Sequence, residues 1–221
     1  MLIINNGFFM SSVSPCTVMP ANLSDALELT SVVNKSFEGS FHLNTIAYNE
    51  EVKKLIPERL ANPQRYTIYK CVTDENKIAG TATGIWKGYF ETKGVVLPEV
   101  GTLAVLPEHR GKKIADRLIA AVEEGAKERN LPGVTLCHSG GFDIVHRIID
   151  SRVMGLHHFY QKLGYMPLEV NGRLQHNVTP QKPKFTVEGN PGGRSLVVWM
   201  AKLFSEDRDP VYFAGKTPKS S

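Results

Sequence analysis

The sequence predicts a mixed α/β domain in which a central, mostly antiparallel sheet of six to seven strands is flanked by about four helices. Three observations predict it. The segments Arg65 to Val72 and Lys77 to Trp86 are rich in β-branched and aromatic residues and are joined by the short polar run Thr73-Asp-Glu-Asn, which is the pattern of an antiparallel hairpin. Glu99 to Leu106 then leads through Pro107-Glu-His-Arg-Gly into a helix whose apolar positions Ile114, Leu118, Val122 and Ala126 recur every four residues. Gly133 to Cys137 is short and apolar enough for a buried strand, and its parallel return beside the Glu99 strand makes a right-handed crossover.

The remaining elements follow in chain order. Thr17 to Pro20 reads as a short strand, and Asn22 or Ser24 caps a helix running to about Phe37 with Leu27, Val32 and Val33 turned inward. Ser36 to Thr45 reads as a loop, and Asn44 or Thr45 starts a second helix towards Leu60, with Pro57 awkward near its end. Asn130, Pro132 and Gly133 stop the helix that begins near Ile114. Residues 138 to 150 are ambiguous. Arg152 to Leu163 reads as a helix closed by Gly164, with Pro167 shortly after it. Ser195 to Leu203 is the last strand, and Asn171 to Arg194 before it is Pro- and Gly-rich and too long for a minimal hairpin connection. The expected organisation is an N-terminal tail at 1–16, one domain at 17–204 and a polar tail at 205–221.

Composition narrows the function classes. With 42% apolar and 22% charged residues the chain has the balance of a globular protein, which leaves little room for extensive disorder. The formal charge of +4 comes from Lys and Arg interspersed with Asp and Glu, so no basic run points to nucleic acid, while a mild positive excess suits an anionic small molecule. Cys16, Cys71 and Cys137 are odd in number and widely spaced, which argues against a disulfide framework and for a reducing, cytoplasmic setting. The N-terminus has neither a basic start nor an unbroken apolar stretch, and no apolar run approaches membrane-spanning length, so no membrane partner is expected.

The chemistry concentrates after the Glu99 strand. A helix that follows a strand presents unpaired backbone N–H groups and the positive end of its dipole, a combination that binds phosphate. Arg110, Gly111, Lys112 and Lys113 are expected in that first turn, combining close backbone approach at the glycine with three positive side chains. His138, His146, His157 and His158 show no ligand spacing such as H-E-x-x-H, so no metal is expected. Cys137 reads as a small packing residue of a central strand.

The run EVGTLAVLPEHRGKKIADRLI from Glu99 to Ile119 resembles the acyl-CoA-binding motif Q/R-x-x-G-x-G/A of the GNAT-type N-acetyltransferase family. Arg110 opens the motif and Ala115 closes it, with Ile114 between; Lys113 stands where the family has its middle Gly. HHFYQKLGYMP, from His157 to Pro167, is similar to the family's later helix-to-strand segment, with Tyr160 and Gly164 in its Tyr and Gly places. Val153 stands where the family often has an Asn. The element order from Thr17 to Phe204 agrees with the family as well, so the resemblance implies a GNAT-like fold.

It further implies acetyl-CoA as co-substrate and direct attack of an amine on the thioester. The amine needs a base, and Glu99 stands where some family members carry a catalytic Glu. A strand N–H near Leu103 or Val105, with Ala104 between them on the cofactor-contacting stretch, is implied as oxyanion donor, and the Tyr160 phenol as the acid for the departing thiolate. The resemblance implies a small-molecule or peptide amine acceptor and a monomer or homodimer. A non-catalytic acyl-CoA-binding or regulatory module of the same fold is the competing expectation, but Glu99 and Tyr160 are both present.

Overall fold

The computed structural model describes residues 16–38, 45–143, 148–149, 151–170, 173–174, 176–180, 194–205 and 211–214. Strand β1 (Cys16–Pro20) passes through a 3-10 turn at Leu23–Asp25 into α1 (Ala26–Phe37). Asn22 and Asp25 form a capping box there: Asn22 Oδ1 accepts from Ser24 N at 3.0 Å, and Asp25 Oδ2 accepts from Asn22 N at 2.8 Å. Helix α1 buries Leu29, Val32 and Val33, whereas Leu27, expected inward, is 87% exposed. The reason is angular, since two residues of helix carry a side chain about 200° around the axis, so Leu27 and Leu29 cannot share a face.

Helix α2 (Thr45–Leu60) continues through Pro57 and packs on α1 through Val52 and Ile56. The expected hairpin is β2 (Tyr66–Thr73) with β3 (Ile78–Ile85), and a second small one, β4 (Phe90–Thr92) with β5 (Val95–Val96), precedes β6 (Glu99–Val105). A 3-10 turn at Pro107–His109 leads towards α3 (Ile114–Glu128), which buries Ile114, Leu118, Val122 and Ala126 as the four-residue period requires. Strand β7 (Gly133–Asp143) runs further than the expected Gly133–Cys137 and so takes in part of the ambiguous 138–150 stretch. After it come β8 (Ile148–Ile149), α4 (Ser151–Lys162), β9 (Met166–Pro167), β10 (Glu169–Val170), β11 (Arg173–Leu174), β12 (His176–Pro180), β13 (Arg194–Leu203) and β14 (Tyr212–Phe213). His146 and residues 181–193 of the expected long connection lie outside the described residues.

The main sheet has the order β1-β2-β3-β6-β7-β13-β12, with β8 on β7 and β9 on β13; every pairing is antiparallel except β6 with β7. Strand alternation sorts the core into two layers. Helices α1 and α2 cover Ile68, Ile78 and Ala104, while α3, Tyr160 and Tyr165 cover Tyr69, Ala79, Val100, Val134 and Leu136. Glu123 of α3, 8% exposed, accepts from Tyr165 Oη at 3.0 Å and from Lys202 Nζ at 2.7 Å, which pins α3 to β13. Strand β14 pairs with β4, and Val211 beside it is buried, so part of the expected C-terminal tail packs on the domain. Cys16, Cys71 and Cys137 are free thiols.

Candidate active site

The site begins where the two parallel strands part. Strand β6 ends at Val105 and β7 at Asp143, yet their ladder consists of Glu99↔Thr135 and Val100↔Leu136. On its other edge β6 remains paired with β3 as far as Gly80↔Val105. Between Thr83↔Gly101 and Thr81↔Ala104, Thr102 and Leu103 face the single residue Ala82, a bulge in which Thr102 takes a φ of 47°. A bulge bends its strand, and here β6 leaves β7 just beyond Val100. Among the described residues, the stretch Leu103, Ala104 and Val105 therefore has no strand partner on its β7 side, where backbone N–H groups are left to meet a ligand.

The chain leaves this open end of β6 and reaches α3 through the motif loop. Arg110 to Lys113 precede the helix instead of forming its first turn, which corrects the expectation from sequence. Gly111 has a φ of 77°, a conformation that favours glycine. Lys113, at the family's middle Gly, is itself left-handed with φ 57° and ψ 22°, and its side chain makes no capping hydrogen bond to the helix. The first N–H groups of α3, from Ile114 and Ala115 onward, are thus offered uncapped beside the cleft. Lys112 is half-buried and Lys113 exposed. Arg110 turns away from them: its Nη2 donates to the Ser36 carbonyl at the end of α1 at 2.8 Å, and its Nε to the Val105 carbonyl at 3.3 Å.

Glu99 and Tyr160 flank the point of separation. Glu99 is 8% exposed and alternates with Val100, which faces α3, so its carboxylate lies on the α2 side of the sheet. Burial raises its pKa above the usual carboxylate value, and the Arg59 guanidinium on α2 partly opposes that. Arg59 Nη1 also donates to Thr102 Oγ1 at 2.7 Å, tying α2 to the bulge. Tyr160, 7% exposed, lies in the α3-side core; burial, with the Cys137 thiol beside it, pushes its phenol up to about 12.

Cys137, read from sequence as a packing residue, sits between them. Its Sγ is 4.0 Å from Glu99 Oε1, and burial followed by the Glu99 charge raises its thiol to about 12. His138, the next residue, faces the other side, where its ring stacks on Tyr160 at 5.7 Å between centroids. Sequence reasoning missed Arg59, Thr102, Cys137, His138 and His157 as site neighbours. The register Glu99↔Thr135 is the signal that places Cys137 on the Glu99 face, and it exists only once β6 and β7 are paired. Among the described residues, no group of three or more His, Cys, Asp or Glu side chains is placed to hold a metal.

Comparison with known proteins agrees with this architecture. Residues 65–167 match the family model of the acetyltransferase (GNAT) domain. An acetyltransferase of the GNAT family from Staphylococcus aureus Mu50 shares the fold at 16% identity and a TM-score of 0.56, over 86% of this chain and 100% of its own. The PaiA N-acetyltransferase of Thermoplasma acidophilum, solved in complex with coenzyme A, is similar at 12% identity and a TM-score of 0.56, over 86% and 99%. A predicted acetyltransferase from Clostridium acetobutylicum, solved with acetyl-CoA, is similar at 19% identity and a TM-score of 0.54, over 74% and 96%. No curated protein matches the sequence. Residues 65–167 of this chain are thus similar to the GNAT acetyltransferase domain, and the fold is shared with GNAT-family structures.

Proposed function

We propose that this protein transfers the acetyl group of acetyl-CoA to a primary amine of a small molecule or peptide. The observation that carries the reading is the ending of the β6–β7 ladder at Val100↔Leu136, with the uncapped start of α3 at the same end. Unpartnered strand N–H groups suit the amide-bearing arm of CoA, and the loop from Arg110 to Ala115 suits its phosphates. Two structural neighbours solved with coenzyme A and with acetyl-CoA support the same co-substrate.

The chemistry divides between the two faces. Glu99, buried and more basic than an exposed carboxylate, takes a proton from the acceptor ammonium, directly or through a water, so that the nitrogen lone pair can attack. A strand N–H near Leu103 or Val105 donates to the oxygen that becomes negative as the carbonyl turns tetrahedral. Tyr160, kept neutral by burial, gives its phenolic proton to the departing thiolate. A non-catalytic acyl-CoA-binding module has no need of a buried, proton-seeking carboxylate at the cleft.

The test is thermal denaturation with and without acetyl-CoA, followed by free-thiol release across spermidine, phenethylamine, an aminoglycoside and a peptide with a free N-terminus. Stabilisation together with release by at least one amine is expected. Stabilisation without release by any amine would transfer the reading to the binding module.

A further inference from the structure

His138 and His157 form a buried-to-surface pair beside Tyr160. His138 is 4% exposed, and its Nε2 lies 3.3 Å from His157 Nδ1, a hydrogen-bond distance at which one ring donates and the other accepts. Its second nitrogen, Nδ1, is fully buried and has no partner among the described residues. His157 is half-buried, and its ring contacts that of exposed His158 at 6.4 Å. The arrangement thus runs from water through His157 and His138 to Tyr160, on whose ring the His138 ring stacks with centroids 5.7 Å apart.

The proposed reaction explains why such a line is needed. An ammonium acceptor loses two protons on becoming an amide, the CoA thiolate gains one, and one net proton leaves. Glu99 lies on the α2 face and Tyr160 on the α3 face, so protons given up by the amine on the Glu99 side do not restore the phenol. Resting on the acetyltransferase reading above, we propose that His157 and His138 feed protons from solvent to the Tyr160 phenolate after each thiolate has left. His157 takes a proton from water and passes its Nδ1 proton to His138 Nε2. The His138 Nδ1–H bond then breaks as the Tyr160 O–H bond forms through one bridging water, which takes the Nδ1 proton as it gives one to the phenolate. Two protons leave on the Glu99 side and one enters here, which gives the required balance.

The surrounding charges favour a pair that carries a proton briefly and does not store it. The groups around His138 are His157, His158 and Tyr160 on α4, Cys137 on its own strand, Glu99 on β6, and, beyond Tyr165, the Glu123–Lys202 pair; its partner across β13 is apolar Val198. Burial and then the His157 charge lower His138 to about 4, and burial and then the His158 charge lower His157. A phenolate with a conjugate acid near 12 draws a proton from either ring.

The experiment uses the full chain with acetyl-CoA and the best amine of the panel. His157→Ala, at the half-buried end, and His138→Asn are each expected to lower kcat about tenfold to a hundredfold with KM for acetyl-CoA unchanged. Added imidazole at fixed pH is expected to restore turnover of His157→Ala in proportion to imidazolium and to leave the wild type unaffected. A purely structural role for the ring would give no such rescue. Should His138→Asn fail to fold, the His157→Ala rescue decides alone. Active wild type with full activity or no imidazole response in His157→Ala overturns the proton feed and leaves acetyl transfer standing. Wild type that releases no thiol with any amine overturns both.

Discussion

The Arg110 guanidinium joins the end of α1 to the end of β6, donating to the Ser36 carbonyl at 2.8 Å and to the Val105 carbonyl at 3.3 Å. It lies where the negative end of the α1 dipole falls, which favours a cation. The residue that opens the motif resembling a CoA site is thus engaged with the protein's own carbonyls, and the proposed reading leaves the phosphates to the loop amides, Lys112 and Lys113. Replacing Arg110 with Ala is expected to lower stability by about 1–2 kcal/mol, since hydrogen bonds from a charged donor are lost and the Ser36 carbonyl loses its partner. The loop should loosen too, so KM for acetyl-CoA rises more than kcat falls. Urea denaturation with steady-state kinetics checks both, and an unchanged midpoint would show that the bond to Ser36 contributes nothing.

How much of this could be read beforehand depends on whether the signal is local. The β2–β3 hairpin and the buried stripe Ile114, Leu118, Val122 and Ala126 lie in contiguous sequence with a clear period, and the structure has both. The β6–β7 crossover was legible because parallel strands joined by a helix have one favoured hand. The Thr102 bulge has no such signal, because it is a mismatch between two strands and Thr is an ordinary strand residue. Cys137 and His138 became site neighbours through register alone. The β4–β14 pairing joins segments more than a hundred residues apart and was invisible for the same reason. For Arg110 the sequence shows a residue that opens the motif, and the structure alone shows which way its side chain points.

Lys113 tests the backbone part of the motif. It holds a left-handed φ of 57° that costs a residue with a Cβ about 1 kcal/mol relative to glycine. Lys113→Gly is expected to raise stability by up to about 0.5 kcal/mol, because glycine's larger unfolded-state entropy offsets part of the relief. Lys113→Val, β-branched, should destabilise clearly. Acetyl-CoA binding by the Gly variant should become less sensitive to salt, since one exposed charge of the proposed phosphate loop is gone. A Val variant as stable as the wild type would show that the loop has another conformation available.

The Glu123–Lys202 pair ties α3 to β13. Lys202→Met leaves the Glu123 carboxylate with the Tyr165 hydroxyl as its remaining hydrogen-bond partner among the described residues. Breaking a buried pair from one side is costly, and with Lys202 part exposed the expected loss is about 2–3 kcal/mol. The double variant Glu123→Leu with Lys202→Met should recover most of that, because no unpaired charge remains. Equal losses in the single and double variants by urea denaturation would mean that packing, and not charge, holds α3 to β13.

Glu99 connects stability to turnover with opposite signs. Burial raises its folded pKa above the ordinary value of 4.5, so the native state holds this proton more tightly than the unfolded chain. Its contribution to stability is therefore full below the unfolded pKa and is lost as pH rises through the folded one. A base must be ionised to act, so turnover should rise over the same window, with an acid limb above that of an exposed carboxylate. Glu99→Gln is expected to reduce kcat about a hundredfold with little change in acetyl-CoA affinity, and to be more stable than the wild type at neutral pH. That stability advantage should disappear below the unfolded pKa, where both side chains are neutral. Thermal melts and kcat measured across the same pH range separate the possibilities. A variant with less activity but no pH-dependent stability gain would place the Glu99 carboxylate in a more solvated setting than its burial shows. One with the gain but full activity would leave the amine to find another base.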